Sequence, residues 1–480
     1  MPDSQPPRKP RRGDVLEGVL ERYDRRGAPR GRTGDYSFSL KHGVPGDRWS
    51  FTVHKRRRDH LDGRALELLE PGIARVPARC RHSGACGGCA FQECDYGVQL
   101  EEKRRLVGEA IEQHMPSSIC EVEPVLPCEE PWAYRNKMEY SFATRRWVAP
   151  GEPQGARADF ALGLHARGLY LKVVDLEECP ILFEGGEAIL RTVRERARAR
   201  ELPLWDVREH AGLLRHLVLR RGVRTGQTLV NLVTSAEARE LVDPFATELL
   251  AAHPEVTTFV HSIHSGKAAV ARGERERVLH GPGWIEEELG GLRFRISAGS
   301  FFQTNTLQAE RLFELVRAEA ALSGEETVYD LYAGAGTIAL LLAPSVREVV
   351  AFEQVPEAVA DARENAERAG LANLSFVEGD VLAELDASLG EGSRLPAPDV
   401  VVVDPPRAGL HPKVLPKLLE LAPRRIVYVS CNVQSGARDA ALLVEGGYAL
   451  ERVQAVDLFP HTPHVECVLT LEGRGATLEP

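Results

Sequence analysis

A chain of 480 residues is too long for one ordinary domain and divides more naturally into two to four. Its 43% hydrophobic and 27% charged residues are those of a soluble globular protein. No stretch approaches the roughly 18 uninterrupted apolar residues of a membrane span, so a membrane-spanning role is excluded. The formal charge of −10 argues at first against a nucleic-acid partner, but its distribution argues the other way: residues 1–58 hold 15 Lys/Arg against 7 Asp/Glu. A basic arm on an acidic body can seat a polyanion or merely aid solubility.

The first segment, residues 1–12, is polar, proline-rich and basic, with no apolar core like that of a secretory signal. It is expected to be a disordered basic tail on a cytoplasmic protein. Residues 13–76 then predict a small β unit. Val15–Leu20 and Trp49–Val53 alternate, and Gly43-Val44-Pro45-Gly46-Asp47 is a turn signal between them. Lys55-Arg56-Arg57-Arg58 follows the second run and suits phosphate. Through the Val-Pro-Gly-Asp turn and this basic strand, the unit resembles the TRAM domain, a five-stranded β-barrel appended to RNA-modifying enzymes.

Four of the nine cysteines crowd into residues 80–94. Cys80, Cys86 and Cys89, with Gly87 and Gly88 letting the backbone fold tightly, form a metal-ligand pattern in a reducing compartment. The spacing does not fit paired Cys-x2-Cys knuckles, which favours an iron–sulfur centre over zinc. Cys94, Cys120, Cys128 and Cys179 are the candidates for a fourth ligand.

Residues 97–114 have helical spacing. The region 77–300 is otherwise strand-rich, with runs at 169–174, 216–221, 228–234, 257–263 and 292–297. It reads as a β-rich central unit carrying the cysteines, interrupted by a loop at 150–155. Trp132-Ala133-Tyr134-Arg135-Asn136-Lys137 interleaves aromatic and basic residues, a pattern suited to stacking on bases while neutralising phosphate.

From 301 to 480 the pattern becomes alternating. A helix at 307–322 precedes strands at 328–331, 349–352, 374–377, 400–403 and 426–429. Helices at 337–343, 356–369, 412–421 and 434–443 separate them, and a final antiparallel hairpin is expected near 448–471. Such alternation predicts a doubly wound, Rossmann-like α/β sheet. Asp330-Leu331-Tyr332-Ala333-Gly334-Ala335-Gly336-Thr337 reads as strand, glycine turn and helix start. The third glycine of a dinucleotide fingerprint is missing. Glu353 and Asp380 close the next two strands, and three acidic residues at successive strand ends suit a cationic adenosyl ligand better than a phosphate-rich one. S-adenosylmethionine therefore fits better than NAD. Asp404-Pro405-Pro406-Arg407 closes the fourth strand, its prolines stiffening a loop that places a carboxylate and a guanidinium at the mouth. The fifth strand runs into Ser430-Cys431-Asn432, presenting a thiol where open α/β sheets do chemistry.

These motifs, followed by Phe459-Pro460-His461-Thr462-x-His464-Val465-Glu466, resemble the S-adenosylmethionine-dependent RNA (uracil-5-)-methyltransferases. With the Cys80/Cys86/Cys89 group, the resemblance spans nearly the whole chain. It implies Cys431 as nucleophile and Glu466 as base, and cofactor contacts from Gln303, Tyr332, Thr337, Glu353, Asp380 and Asp404. It further implies a [4Fe–4S] cluster on Cys80, Cys86, Cys89 and Cys179. The implied partner is RNA, with 23S ribosomal RNA ahead of a tRNA (uridine 54), and a monomer is expected. Two departures stand out: Val433 follows Ser-Cys-Asn where family members commonly have proline, and the gap from Cys89 to Cys179 is long. The chemistry agrees, because C5 of uracil attacks a sulfonium methyl only after a thiolate adds at C6. Competing readings are an iron–sulfur oxidoreductase, which lacks its dinucleotide fingerprint, a non-catalytic RNA-binding protein, and a DNA methyltransferase, which has Asn-Pro-Pro rather than Asp-Pro-Pro-Arg.

Overall fold

The computed structural model describes residues 8–117, 120–149, 151–390, 392–393 and 395–473; Met1–Pro7 of the expected tail and Pro150 of the expected loop lie outside them. Strands β1 (Val15–Tyr23), β2 (Pro29–Thr33), β3 (Tyr36–Ser39), β4 (Arg48–Arg56) and β5 (His60–Glu70) close a barrel in the order β1-β2-β3-β5-β4. Leu20, Phe38, Phe51, Val53 and Leu61 fill it, with the two phenylalanine rings stacked at 4.4 Å. The Val-Pro-Gly-Asp turn works through its last residue. The buried Asp47 carboxylate accepts from Val44 N (2.7 Å), Gly72 N (2.8 Å) and the Arg75 guanidinium (2.6 Å), tying turn, barrel exit and following loop together.

After the cysteine-bearing loop comes α1 (Tyr96–His114). It is contiguous in sequence with the strand-rich region, yet Val107, Ala110 and Ile111 are buried in the core of the last sheet. The chain from Val122 to Leu126 also bridges to that sheet at Val453 and Val456.

The middle sheet comprises β6 (Lys137–Ala143), β7 (Ala161–Ala166), β8 (Leu169–Asp175), β9 (Leu214–Arg221), β10 (Thr228–Thr234), β11 (Val256–Ile263) and β12 (Arg275–His280), in the order β12-β11-β10-β9-β6-β7-β8. Helices α2 (Gly186–Ala199) and α3 (Arg239–Ala252) bury Ile189, Leu190, Val193, Phe245 and Leu249 against it. A hairpin of β13 (Trp284–Leu289) and β14 (Leu292–Ser297) leads to the last unit.

That unit contains α4 (Thr306–Glu319), β15 (Thr327–Leu331), α5 (Thr337–Leu342), β16 (Glu348–Glu353), α6 (Pro356–Arg368), β17 (Leu374–Glu378) and α7 (Val381–Leu389). It continues with β18 (Val400–Val403), α8 (Val414–Leu421), β19 (Arg425–Ser430), α9 (Val433–Glu445), β20 (Tyr448–Val456) and β21 (Glu466–Gly473). The sheet order is β17-β16-β15-β18-β19-β21-β20. Five strands are parallel, and β21 inserts antiparallel between β19 and β20. Four valines with no exposed surface make up β18, as a strand covered on both faces requires. The order turns back at β15, so the crevice lies at the carboxyl ends of β15 and β18. No helix among the described residues is long and apolar enough to cross a membrane.

Candidate active site

The carboxyl end of β15 carries the first half of the site. Asp330 is buried; one oxygen accepts from Ala339 N (3.0 Å) and the other has no partner among the described residues. Burial, then the nearby Asp404 and Glu353, hold this acid well above the ordinary carboxylate range. Tyr332 follows in the left-handed region at φ +66°, a strained conformation for a tyrosine of the kind that collects at functional sites. Gly336 caps α5 at φ +79°, and an added Cβ would stand 2.8 Å from Leu340 Cδ1, so only glycine turns the chain here. Thr337 opens the helix.

Glu353 ends β16 and braces this turn, accepting from Gly334 N (2.9 Å) and Val355 N (2.8 Å). Asp380 lies two residues beyond β17 and caps α7, an element the sequence reading did not contain. Only one of its oxygens takes the cap bonds, from Leu382 N (3.1 Å) and Ala383 N (3.2 Å). Asp404 follows β18, with burial pushing it up to about 7. Tyr332, Thr337, Glu353, Asp380 and Asp404 therefore rim one crevice, as the doubly wound topology requires. Gln303 comes from a different segment, ahead of α4. Its carbonyl accepts from Asn136 Nδ2 (2.9 Å), and its side chain makes no hydrogen bond among the described residues.

The second half lies one strand further along the sheet. Ser430 of β19 pairs with Cys467 of β21 in antiparallel register, so the next step of each chain sets Cys431 opposite Glu466. Sequence numbering hides this juxtaposition and the inserted strand creates it. Cys431 is half-buried, whereas Glu466 is 4% exposed. Burial first, then the charges of Glu466 and Asp404, push the Cys431 thiol up to about 11, while Arg407 opposes the rise. Burial and Asp404 raise Glu466 to about 8, again against Arg407. Both groups thus favour their protonated forms at neutral pH, with Arg407 the cation that opposes this.

Asn432 fixes the thiol's loop. Its side-chain oxygen caps α9 by accepting from Gln434 N (3.3 Å), and its Nδ2 donates to Arg407 O (2.8 Å). Val433 is the first residue of α9. Proline is merely favoured at such a position, and valine starts the same helix, so the departure from Ser-Cys-Asn-Pro leaves this helix start in place. Cys431, Asn432, Arg407, Thr462 and His464 line a cavity of about 670 Å³.

The loop from 457 to 465 is held by residues more than 300 positions away in the chain, so no local pattern announces it. Lys103 of α1, with no exposed surface, pairs with the equally buried Asp457 and donates to Phe459 O (3.0 Å). Gln99 accepts from His461 N (2.9 Å), and Ala90 N and Phe91 N both donate to His461 O at 2.9 Å. His461 itself sits at φ +64° and stacks on Trp132 at 3.8 Å. This corrects the reading of Trp132–Lys137 as a nucleic-acid surface. Trp132 is sandwiched between His461 and Arg79 (4.6 Å), and Tyr134 is buried with its hydroxyl donating to Pro460 O (3.1 Å). The stretch packs the 457–465 loop from behind, because its aromatics turn inward.

Of the candidate fourth thiols, Cys179 is the one that meets Cys80, Cys86 and Cys89: burial raises it to about 12, and the charges of those three add to the rise. Cys94 lies instead against Tyr23, and Cys128 against Asn305. Cys120 lies near Glu451 and Glu123. Among the described residues no three His, Cys, Asp or Glu side chains gather tightly enough for a metal ion. The same loop pins two walls of the Cys431 cavity. Besides holding His461, it pairs with the β7–β8 turn through Gly87 N to His165 O (3.0 Å) and Arg167 N to Ala85 O (2.9 Å).

Comparison with known proteins places this geometry in context. Residues 266–474 match the model of the tRNA (uracil-5-)-methyltransferase family. An RNA methyltransferase of Chlorobaculum tepidum is 39% identical over 469 residues, covering 96% of this chain and 97% of the relative. One of Caldanaerobacter subterraneus is 36% identical over 463 residues, covering 96% and 99%. Among solved structures, the Pyrococcus abyssi tRNA (uracil-54, C5)-methyltransferase bound to S-adenosyl-L-homocysteine superposes with a TM-score of 0.72 at 28% identity, covering 95% of this chain and all of that one.

Proposed function

Because the chain belongs to the RNA (uracil-5-)-methyltransferase family and is thus an enzyme that uses S-adenosylmethionine, we propose that Cys431 and Glu466 carry methyl transfer to C5 of a specific uridine through a covalent adduct. The register that sets Cys431 opposite Glu466 is the observation that carries this reading. The Cys431 sulfur, as thiolate, adds to C6 of the uracil, and the electron pair of the C5–C6 double bond moves to give an enolate. C5 then takes the methyl group from the sulfonium, releasing a neutral thioether. Glu466 removes the C5 proton, the double bond re-forms, and the C6–S bond breaks to return the thiolate. The target base cannot react inside a stack, so it enters the cavity flipped out or from an unpaired loop. Glu353, Asp380 and Asp404 hold the cofactor, their carboxylates suited to its cationic character; Tyr332, Gln303 and Thr337 complete that set.

Cys80, Cys86, Cys89 and Cys179 carry a [4Fe–4S] cluster in this reading. Beyond burial, Cys89 raises the other three thiols, and Cys80 and Cys86 add to the rise of Cys179, so the four lie close enough in space to act on one another, as thiolate ligands of one cluster would. Such a cluster would supply cross-linking of the loop that pins two cavity walls. Anaerobically purified protein is expected to absorb in the visible charge-transfer region and to contain iron and sulfide, both lost in Cys179→Ser; colourless, iron-free protein overturns this assignment.

Large-subunit ribosomal RNA is the favoured substrate, since a TRAM-like barrel and a cysteine cluster accompany it within the family. The likeness to a tRNA (uracil-54, C5)-methyltransferase favours a tRNA as the second reading. The test is incubation with methyl-labelled cofactor and separate ribosomal and tRNA transcripts, followed by nucleoside analysis. Labelled 5-methyluridine is expected with wild type and none with Cys431→Ala. Product from Cys431→Ala at the wild-type rate contradicts the proposal.

A further inference from the structure

Two hairpin turns from different units roof the Cys431 cavity. One joins β1 to β2 and carries Arg25, Arg26 and Gly27; the other joins β7 to β8 and carries Arg167 and Gly168. Arg167 Nη2 donates to Gly27 O at 2.7 Å, so the turns form one arch. Arg25, Arg26 and Gln434 line the Cys431 cavity and also a second space of about 870 Å³ on the barrel flank, so the two adjoin across these side chains as a channel.

The channel's charge is partly uncompensated. Along the flank, Arg22 is paired with Glu109 (2.7 Å) and Arg30 with Asp24 (2.6 Å). Arg25, Arg26 and Arg32 are exposed and have no ion-pair partner among the described residues. At the inner end, Tyr170 also lines the cavity; it is 64% exposed, with its ring parallel to His165 at 5.3 Å and 8°. Free guanidinium groups leading to a presented aromatic face are the two components of a single-strand binding path. Tyr170 packs one face on His165, and its exposed face gains from a planar partner.

We propose that the unpaired nucleotides flanking the target uridine thread this channel, their phosphates on Arg25, Arg26 and Arg32 and the base of a neighbouring nucleotide stacked on Tyr170. The inference rests on the RNA substrate of the preceding section and adds the residues that select single-stranded context. It explains why the barrel, whose nearest strand is remote in sequence from Cys431, is bonded to the cavity arch.

Binding of a fluorescein-labelled oligouridylate across a salt series, together with steady-state kinetics on the transcript that wild type methylates, tests it. Arg25→Ala/Arg26→Ala is expected to lower the slope of log K against log salt by about 1.4, two contacts at about 0.7 each for a single strand. Tyr170→Ala is expected to raise KM for RNA roughly tenfold or more with the salt slope unchanged, and Tyr170→Phe to restore it. All three side chains are exposed, so unfolding midpoints should match wild type and cofactor affinity should be unaltered. Wild-type slope and KM in these variants, or equal damage from Tyr170→Phe and Tyr170→Ala, overturn the channel while leaving methyl transfer intact. Failure of wild type to methylate any transcript sinks the preceding reading instead.

Discussion

Cys431 and Glu466 lie opposite each other, and their two titrations give the site a pH signature. Buried and beside carboxylates, the thiol is raised to about 11 and the acid to about 8. Both must lose a proton before they act, so kcat/KM should climb with pH through about 8 instead of levelling off at neutrality. Arg407 is the counterweight in both cases; Arg407→Ala is expected to displace the rising limb to higher pH, and superimposable pH profiles would remove it from that role. Glu466→Gln separates the steps of the reaction. Proton removal slows by about 10²–10⁴-fold while thiol addition survives, so the methylated RNA–protein adduct should accumulate on denaturing gels. A variant with no adduct and no activity would show that Glu466 acts earlier than proton removal.

Among the elements, α1 has the least expected task. Lys103 reaches from it to the buried Asp457 and so holds the chain that leads to Glu466. Lys103→Met leaves a buried carboxylate without its cation and should cost about 3–5 kcal/mol in unfolding free energy. Adding Asp457→Leu should recover much of that loss, and double-variant stability equal to the single variant would show that the pair is not the source. None of this was legible in the sequence, because the partners lie 354 residues apart. The strands β15 to β19 were legible, since parallel strands covered on both faces spell out continuous apolar runs such as Val400–Val403. Helix α7 escaped notice because its cap, Asp380, had been read as a strand end. Trp132–Lys137 was misread because interleaved aromatic and basic residues look alike whether the rings face solvent or a neighbouring loop. Motif order singles out the candidate site residues, while the opposition of Cys431 to Glu466 needs the strand order.

At the scale of the molecule, the ligand-free protein carries a cost in its own acids. Asp330, Asp404 and Glu466 all have folded-state pKa values above the ordinary range, the last two at about 7 and about 8. These acids therefore hold more protons in the folded than in the unfolded chain between about pH 4.5 and 8, and their contribution to stability falls as pH rises through that window, while His216, His261, His461 and His464, which burial holds at about 4, contribute in the opposite sense. The wild-type unfolding midpoint should fall relative to that of Asp404→Asn between pH 5.5 and 8, a comparison in which the histidines cancel; midpoints that run parallel over this range would contradict the assignment. In the same architecture the last sheet carries Cys431 and Glu466, the cysteine loop and α1 brace the loop between β20 and β21, and a barrel turn arches over the Cys431 cavity.

Trapping the reaction after methyl transfer interrogates the thiol most directly. Fluorine at C5 cannot leave as a proton does, so transcript containing 5-fluorouridine, with S-adenosylmethionine, should stop as a covalent complex. Peptide mass spectrometry is expected to place the methylated nucleotide on Cys431. Adduct on another residue, or release of unmodified enzyme while ordinary transcript is methylated normally, would contradict the mechanism.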